Sequence, residues 1–388
     1  LPKTAWPPTS FKSFGKKKWL SFGGWINAVI PVLIVPYYSV IGGWVIKYLV
    51  EYFRGNAKLL AEDGYFTDFI SNGVSTELCF VAFCAFTLII IFAGVQNGIE
   101  RVSKIMMPIL IVLSVIIAVY SVTRPGALAG VKYFLVPNVK NFSWMTVVSA
   151  MGQMFYSLSI AMGILITFGS YMKKDTAIED STRNVEIFDT GIAIMAGLMI
   201  IPAVFAFSGG DPDTLQAGPS LMFITIPKVF QNMGFGTVIG IVFFLLVLFA
   251  AVTSSIALTE SAVSTFEDEL GWGRKKATVL VGVIMLALGS LSSLGYGPLA
   301  GIKIIGMQFL DLFDFLTNSV MMPIAALLTS LFVSRVVGID KIEEEIIHGE
   351  SAFRRKKVFV VMIKYLCPVF AIIILLSSVA NALGWIKM

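Results

Sequence analysis

GQMFYSLSIAMGILITFGSYM, residues 152–172, decides how the rest of the chain is read. The stretch is apolar and long enough to cross a bilayer, yet Ser157, Ser159, Gly163 and Gly169 interrupt it. Small residues in a membrane helix can serve close packing alone. They can also mark a helix broken near 157–163, whose freed carbonyls bind a cation while the N-terminal dipole of a half-helix faces a carboxylate. Spacing alone leaves both readings open.

Working outward, hydrophobic residues make up 57% of the 388 and charged ones 14%, whereas a soluble domain carries roughly a quarter charged residues. Mean hydropathy is +0.85. Such a chain cannot cover itself with polar surface, so lipid is its solvent. Apolar runs cover 22–49, 78–95, 102–122, 145–172, 187–207, 238–265, 277–294, 307–336 and 358–383. About nine spans follow, an all-α polytopic membrane protein with its ends on opposite sides. With the N-terminus inside, Lys and Arg divide roughly 19 to the inner loops against 8 to the outer ones. This predicts a cytoplasmic N-terminus and an extracellular C-terminus.

Several function classes fall away on composition. Cys79, Cys84 and Cys367 all lie in apolar segments, which suggests neither a disulfide framework nor a zinc cluster. The single histidine, His348, sits in a charged loop, so histidine-based catalysis has no candidate. Residues 1–20 are polar and basic without the apolar core of a signal peptide, and resemble a cytoplasmic loop. In the outer segment 208–236, the apolar stretch 221–229 is too short to span and predicts a capping helix. The inner segment 340–357 predicts a solvated surface helix.

Polar groups within the spans carry the chemistry, because an ionisable residue at mid-depth costs at least about 2.5 kcal/mol on insertion scales. FAAVTSSIALTE, residues 249–260, clusters Thr253, Ser254 and Ser255 in apolar surroundings. Such hydroxyls can bond back to the preceding turn, or join a carbonyl in an all-oxygen alkali-cation site. Asp189 is either a helix cap or, deeper in, a carboxylate whose partner is a bound cation or proton. Asp311 and Asp314 open the eighth span, where capping and gating explain them equally well. Tyr37 and Tyr38 follow Pro36, which frees a backbone carbonyl, and a buried phenol needs a hydrogen-bond partner.

Four blocks carry a family resemblance: IVPYYSVIGGWVIKYL (34–49), GVQNGIERVSKIMMP (94–108), 152–172, and FAAVTSSIALTESAVSTFEDEL (249–270). From about residue 21 onward the chain resembles bacterial members of the neurotransmitter:sodium symporter family, which have the LeuT-type inverted-repeat fold. The resemblance implies that the nine spans correspond to the family's helices three to eleven, without the first two. Residues 21–122 would then hold the last three helices of the first repeat, 143–336 the complete second repeat, and 358–383 an additional C-terminal helix.

By the same resemblance, Tyr38 would bind the substrate carboxylate, and Ser157 with Asp189 would belong to a first sodium site. The Ala250 carbonyl with the Thr253 and Ser254 hydroxyls would form a second. Ile34, Tyr156, Ser159, Met162 and Leu258 would line the side-chain pocket, and Asp314 would be an outer-gate acid. Ala161 stands where some relatives have glycine, which predicts a differently shaped unwound stretch. The implied activity is symport of sodium and a small hydrophobic or aromatic amino acid across the bacterial plasma membrane. A truncated remnant without activity and a channel or pore subunit are the competing expectations.

Overall fold

The computed structural model describes residues 18–211, 218–382 and 385. Among these, eight helices are long and apolar enough to cross a membrane. In lipid a spanning segment must satisfy its own backbone, and the helix does so internally. The first is α1, Lys18–Phe53. Gly73–Phe92 and Val95–Val122 follow as α2 and α3, the latter opening on a π-helical turn. The expected ninth span is present as two pieces too short to cross singly, α4, Trp144–Ser157, and α5, Ile164–Tyr171. Next come α6, Ile178–Ser208, and a short α7, Ile226–Gln231. The chain continues through α8, Gly236–Leu270, α9, Arg274–Leu294, and α10, Phe309–Val337. It ends with a short α11, Ile339–Gly349, and α12, Lys356–Ala382.

α1 is the central post: 67% of its most apolar window is buried against 11% for α12, the least buried of the eight. It packs on α2, α8, α9 and α10. Close approach to α2 requires Gly43, where a Cβ would stand 2.7 Å from the Phe80 backbone nitrogen. Buried hydroxyls stitch neighbouring helices: Ser121 of α3 donates to the Met199 carbonyl of α6 at 2.7 Å, and Ser330 of α10 to the Ile363 carbonyl of α12 at 2.6 Å. In hydrocarbon such bonds contribute on the order of 1 kcal/mol each.

One face of the bundle, the cap face, carries the short helices Ala57–Leu60 and Tyr65–Ser71 together with the helical run from 218 to 231. The capping helix expected at 221–229 is thus present as a π turn, Leu221–Thr225, leading into α7. An aromatic cluster seats it. Tyr48 of α1 donates to the Phe223 carbonyl at 2.8 Å, Phe223 stacks on Phe66 at 5.2 Å, and Trp44 meets both rings edge-on. At the opposite, base face lies α11, the predicted surface helix, whose Ile346 is buried. Of the predicted N-terminal loop, residues 1–17 lie outside the described residues, and helix α1 takes in 18–20.

Candidate functional site

α4 begins on a capping box, in which the Ser143 hydroxyl and the Thr146 backbone and side chain satisfy each other. It ends at Ser157 because the next residues leave helical space. Ser159, Ala161 and Gly163 have φ of 53°, 61° and 73°. The left-handed region suits glycine, and each non-glycine residue held there costs on the order of 1 kcal/mol. The ladder is therefore interrupted across 158–163 and restarts at Ile164, with Thr167 N–H donating to the Gly163 carbonyl at 3.0 Å. Between the two readings of 152–172, packing and breakage, the structure has the broken helix. Ala161 takes up the left-handed conformation without being glycine.

Directly at the end of α4, the Ser157 hydroxyl donates to Asp189 Oδ1 at 2.5 Å. Asp189 lies about eleven residues into α6, well past its first turn, so it is not that helix's cap. A serine hydroxyl and a single carboxylate beside interrupted backbone form a hard, oxygen-only donor set of low charge. Such a set fits a monovalent alkali cation better than a soft or thiophilic metal.

The second group sits on unbroken helix. In α8 the Thr253 hydroxyl donates to the Phe249 and Ala250 carbonyls, both at 3.0 Å. The back-bonding expected of a membrane hydroxyl is present, and it draws the Ala250 oxygen and the Thr253 oxygen together. Ser254 is exposed, and its hydroxyl and the Tyr38 phenol face one another. Tyr38 thus stands beside the second group. Ser255, the third hydroxyl of the cluster, turns away and pairs with Thr87 at 3.1 Å.

Ile34, Met162 and Leu258 are buried in one apolar cluster, with Tyr38 and Tyr156 packed against it. Residues of α1, the break and α8 thus contribute to one apolar core. Ser159 is partly buried in the break itself. Asp314 of α10 stands next to this cluster, within electrostatic reach of Tyr37 and Tyr156. Its Oδ1 accepts from the Asn318 amide at 2.6 Å, and that amide lies 3.4 Å from the Tyr37 hydroxyl, which pairs with Thr317 at 3.3 Å. Thr317 and Asn318 lie in a π-helical stretch, Phe315–Met321. The partner that a buried Tyr37 required is supplied there, a role for Thr317 and Asn318 that sequence reasoning missed.

A second network also escaped the sequence reading. Glu260 is fully buried at the base end of α8, where Arg274 of α9 forks it with contacts of 3.0 and 2.5 Å. Tyr171, the last residue of α5, donates to the same carboxylate at 2.7 Å. The lower half of the broken helix is thereby moored to α8 and α9. Removing one partner of such a buried pair costs about 3–5 kcal/mol. The available signal was an acid closing an otherwise uncharged apolar run.

Comparison with known proteins bears directly on this arrangement. The sequence profile of the sodium:neurotransmitter symporter family matches residues 67–385. A sodium-dependent transporter of Bacillus subtilis, YhdH, is 34% identical over 360 residues, covering 92% of this chain and 79% of that protein. A sodium-dependent transporter of Haemophilus influenzae is 30% identical over 378 residues, covering 95% and 81%. The crystal structure of MhsT in complex with L-phenylalanine superposes with a TM-score of 0.84 at 32% identity, covering 97% of this chain and 85% of that one. The chain belongs to the sodium:neurotransmitter symporter family. It is a multi-pass membrane transporter of LeuT-type fold, sodium-coupled and not an enzyme.

Proposed function

We propose that this chain couples sodium entry to uptake of a hydrophobic or aromatic amino acid across the bacterial plasma membrane by alternating access. The cap face is then external and the base face cytoplasmic, in keeping with the concentration of Lys and Arg in the base-face loops. One observation carries the reading: Ser157, at the lip of a broken helix, bonds to Asp189, a carboxylate well inside the neighbouring span. An acid there is costly unless a cation or proton compensates it.

In this reading Ser157 and Asp189 hold one sodium ion, and Ala250, Thr253 and Ser254 hold a second. Tyr38 meets the substrate carboxylate, and the substrate side chain lies among Ile34, Tyr156, Ser159, Met162 and Leu258. The apolar and aromatic character of that lining favours a side chain of the same kind, as does the likeness to MhsT solved with L-phenylalanine. Asp314 acts as the outer-gate acid. Asp189 also supplies a fixed negative charge, so the cycle needs no anion. Two sodium ions moving down about 100 mV would support roughly a thousandfold accumulation of a zwitterion before their chemical gradient is counted.

The test is uptake of labelled phenylalanine into proteoliposomes holding the full chain. Saturable accumulation is expected under an inward sodium gradient, is lost when potassium replaces sodium, and persists when gluconate replaces chloride. Uptake of equal rate without sodium would sink the proposal, and uptake that never saturates would favour a pore.

A further inference from the structure

Helix α6 starts at the base face, where its first backbone N–H groups have no carbonyl within the helix. Its N-cap, Ala177, has no side chain that can serve them. The acceptor comes instead from far along the chain. The Glu350 carboxylate takes the N–H of Glu179 at 2.5 Å and of Asp180 at 3.3 Å. The grip is reciprocal, because Glu179 Oε2 accepts from the Arg354 backbone N–H at 2.9 Å. The Arg355 guanidinium reaches Glu186 at 2.8 Å and Glu179 at 3.9 Å. Gly349, which ends α11, lies so near that a Cβ there would stand 2.5 Å from the Thr176 carbonyl oxygen.

Each of these contacts joins 349–355 to 176–186. The loop's own ends are closed by an ion pair between Lys356 and Glu343 at 2.5 Å. A carboxylate on the free N–H groups of a 31-residue helix also complements the positive end of its dipole. Asp189 rides on that same uninterrupted helix, about 15 Å along its axis from Glu179. Where the start of α6 is held therefore decides where Asp189 meets Ser157. The outermost pair, Arg355 with Glu186, is about half exposed on both sides, and such pairs are weak and screened by salt. The loop can accordingly let go and close again.

We propose that 349–355 is a releasable clasp on the start of α6, with Glu350 a positioning residue that holds Asp189 against Ser157 and ties the pair to α11 and α12. The link to coupling rests on the reading of Ser157 and Asp189 as a sodium site; the clasp itself does not.

Two measurements on the full chain in lipid test it. In Glu350→Ala, amide hydrogen exchange across 178–181 should quicken about fivefold, as for loss of a helix cap, while exchange in α8 stays unchanged. The half-saturating sodium concentration for uptake should rise by a similar factor, and Glu350→Asp should restore part of both. Arg355→Ala, which removes the half-exposed pair with Glu186 and the longer contact to the largely buried Glu179, should move both in the same direction by about twofold and more at low salt. Unchanged exchange in Glu350→Ala would overturn the clasp. Faster exchange with an unmoved sodium curve would overturn its positioning role. Absence of sodium-dependent uptake in the unmodified chain would instead strike the transport reading, since the exchange result is independent of it.

Discussion

α4 with α5, and α8, offer oxygen atoms by opposite means. The first pair gives up its ladder across 158–163 and holds Ser159 and Ala161 at positive φ. α8 runs 35 residues without interruption, and Thr253 bonds back into its ladder. Breaking a helix frees several carbonyls and allows its halves to move separately, but leaves strain to be offset elsewhere. Keeping it intact gives one carbonyl and adjacent hydroxyls on a stiff rod. In the proposed cycle the first kind of site can move while the second stays fixed on its rod. Of the broken pair, α5 is moored through Tyr171 to the Glu260–Arg274 ion pair of α8 and α9, whereas α4 reaches α6 through Ser157 and Asp189. The break lies between two anchorages.

The sharpest way to break this comparison is Asp189→Ala, with Asp189→Asn as the control that keeps the shape. We expect half-saturating sodium to rise about 30-fold or more in the alanine variant, equivalent to about 2 kcal/mol, with the protein still folded. An unmoved sodium curve would make Asp189 a structural group only. Thr253→Val should act next most strongly. It removes one candidate oxygen from the unbroken helix while preserving volume, and about a tenfold rise in half-saturating sodium is expected with thermal stability nearly unchanged.

Ala161→Gly sharpens the contrast from the other side. Glycine occupies φ near 61° without strain, so thermal unfolding should shift upward by the equivalent of about 1 kcal/mol. Replacing any helical residue in the unbroken middle of α8 by glycine should do the reverse. The smallest effect belongs to neither helix. Lys228 of α7 pairs with Asp63 on the cap face and holds its carboxyl below the ordinary value of 3.8. Because the folded value is lowered, the pairing is complete at higher pH and is lost as pH falls through it. Asp63→Asn should therefore leave uptake unchanged at neutral pH, and its small stability deficit against the unmodified chain, present at neutral pH, should vanish in unfolding measured below about pH 4.

Much of this was legible in residue order. Apolar runs near the thickness of a bilayer gave the spans, and small residues within 152–172 marked the break. The short apolar stretch at 221–229 announced the cap. The missing parts share one physical cause: they depend on which distant groups meet. Glu260 is one acid at the end of an apolar run, and only the fold shows Arg274 and Tyr171 converging on it. Thr317 and Asn318 look like ordinary span polarity until Tyr37 is seen beside them. Glu350 belongs to a charge run that predicts a solvated helix, and α11 does present an exposed face, at Asp340, Lys341, Glu344, Ile347 and His348. Its last residues turn instead to the start of α6, which no local pattern signals.

The aromatic seat under the cap has an optical consequence. The Trp44 indole lies edge-on to Phe66, Phe223 and Tyr296, so lifting the 218–231 run would take Phe223 from it and open that side of the ring to water. A natural fluorophore is thus stationed at the seam between the lid and the post, and in a variant that keeps Trp44 alone of the seven tryptophans its emission colour would follow that seam without any attached dye.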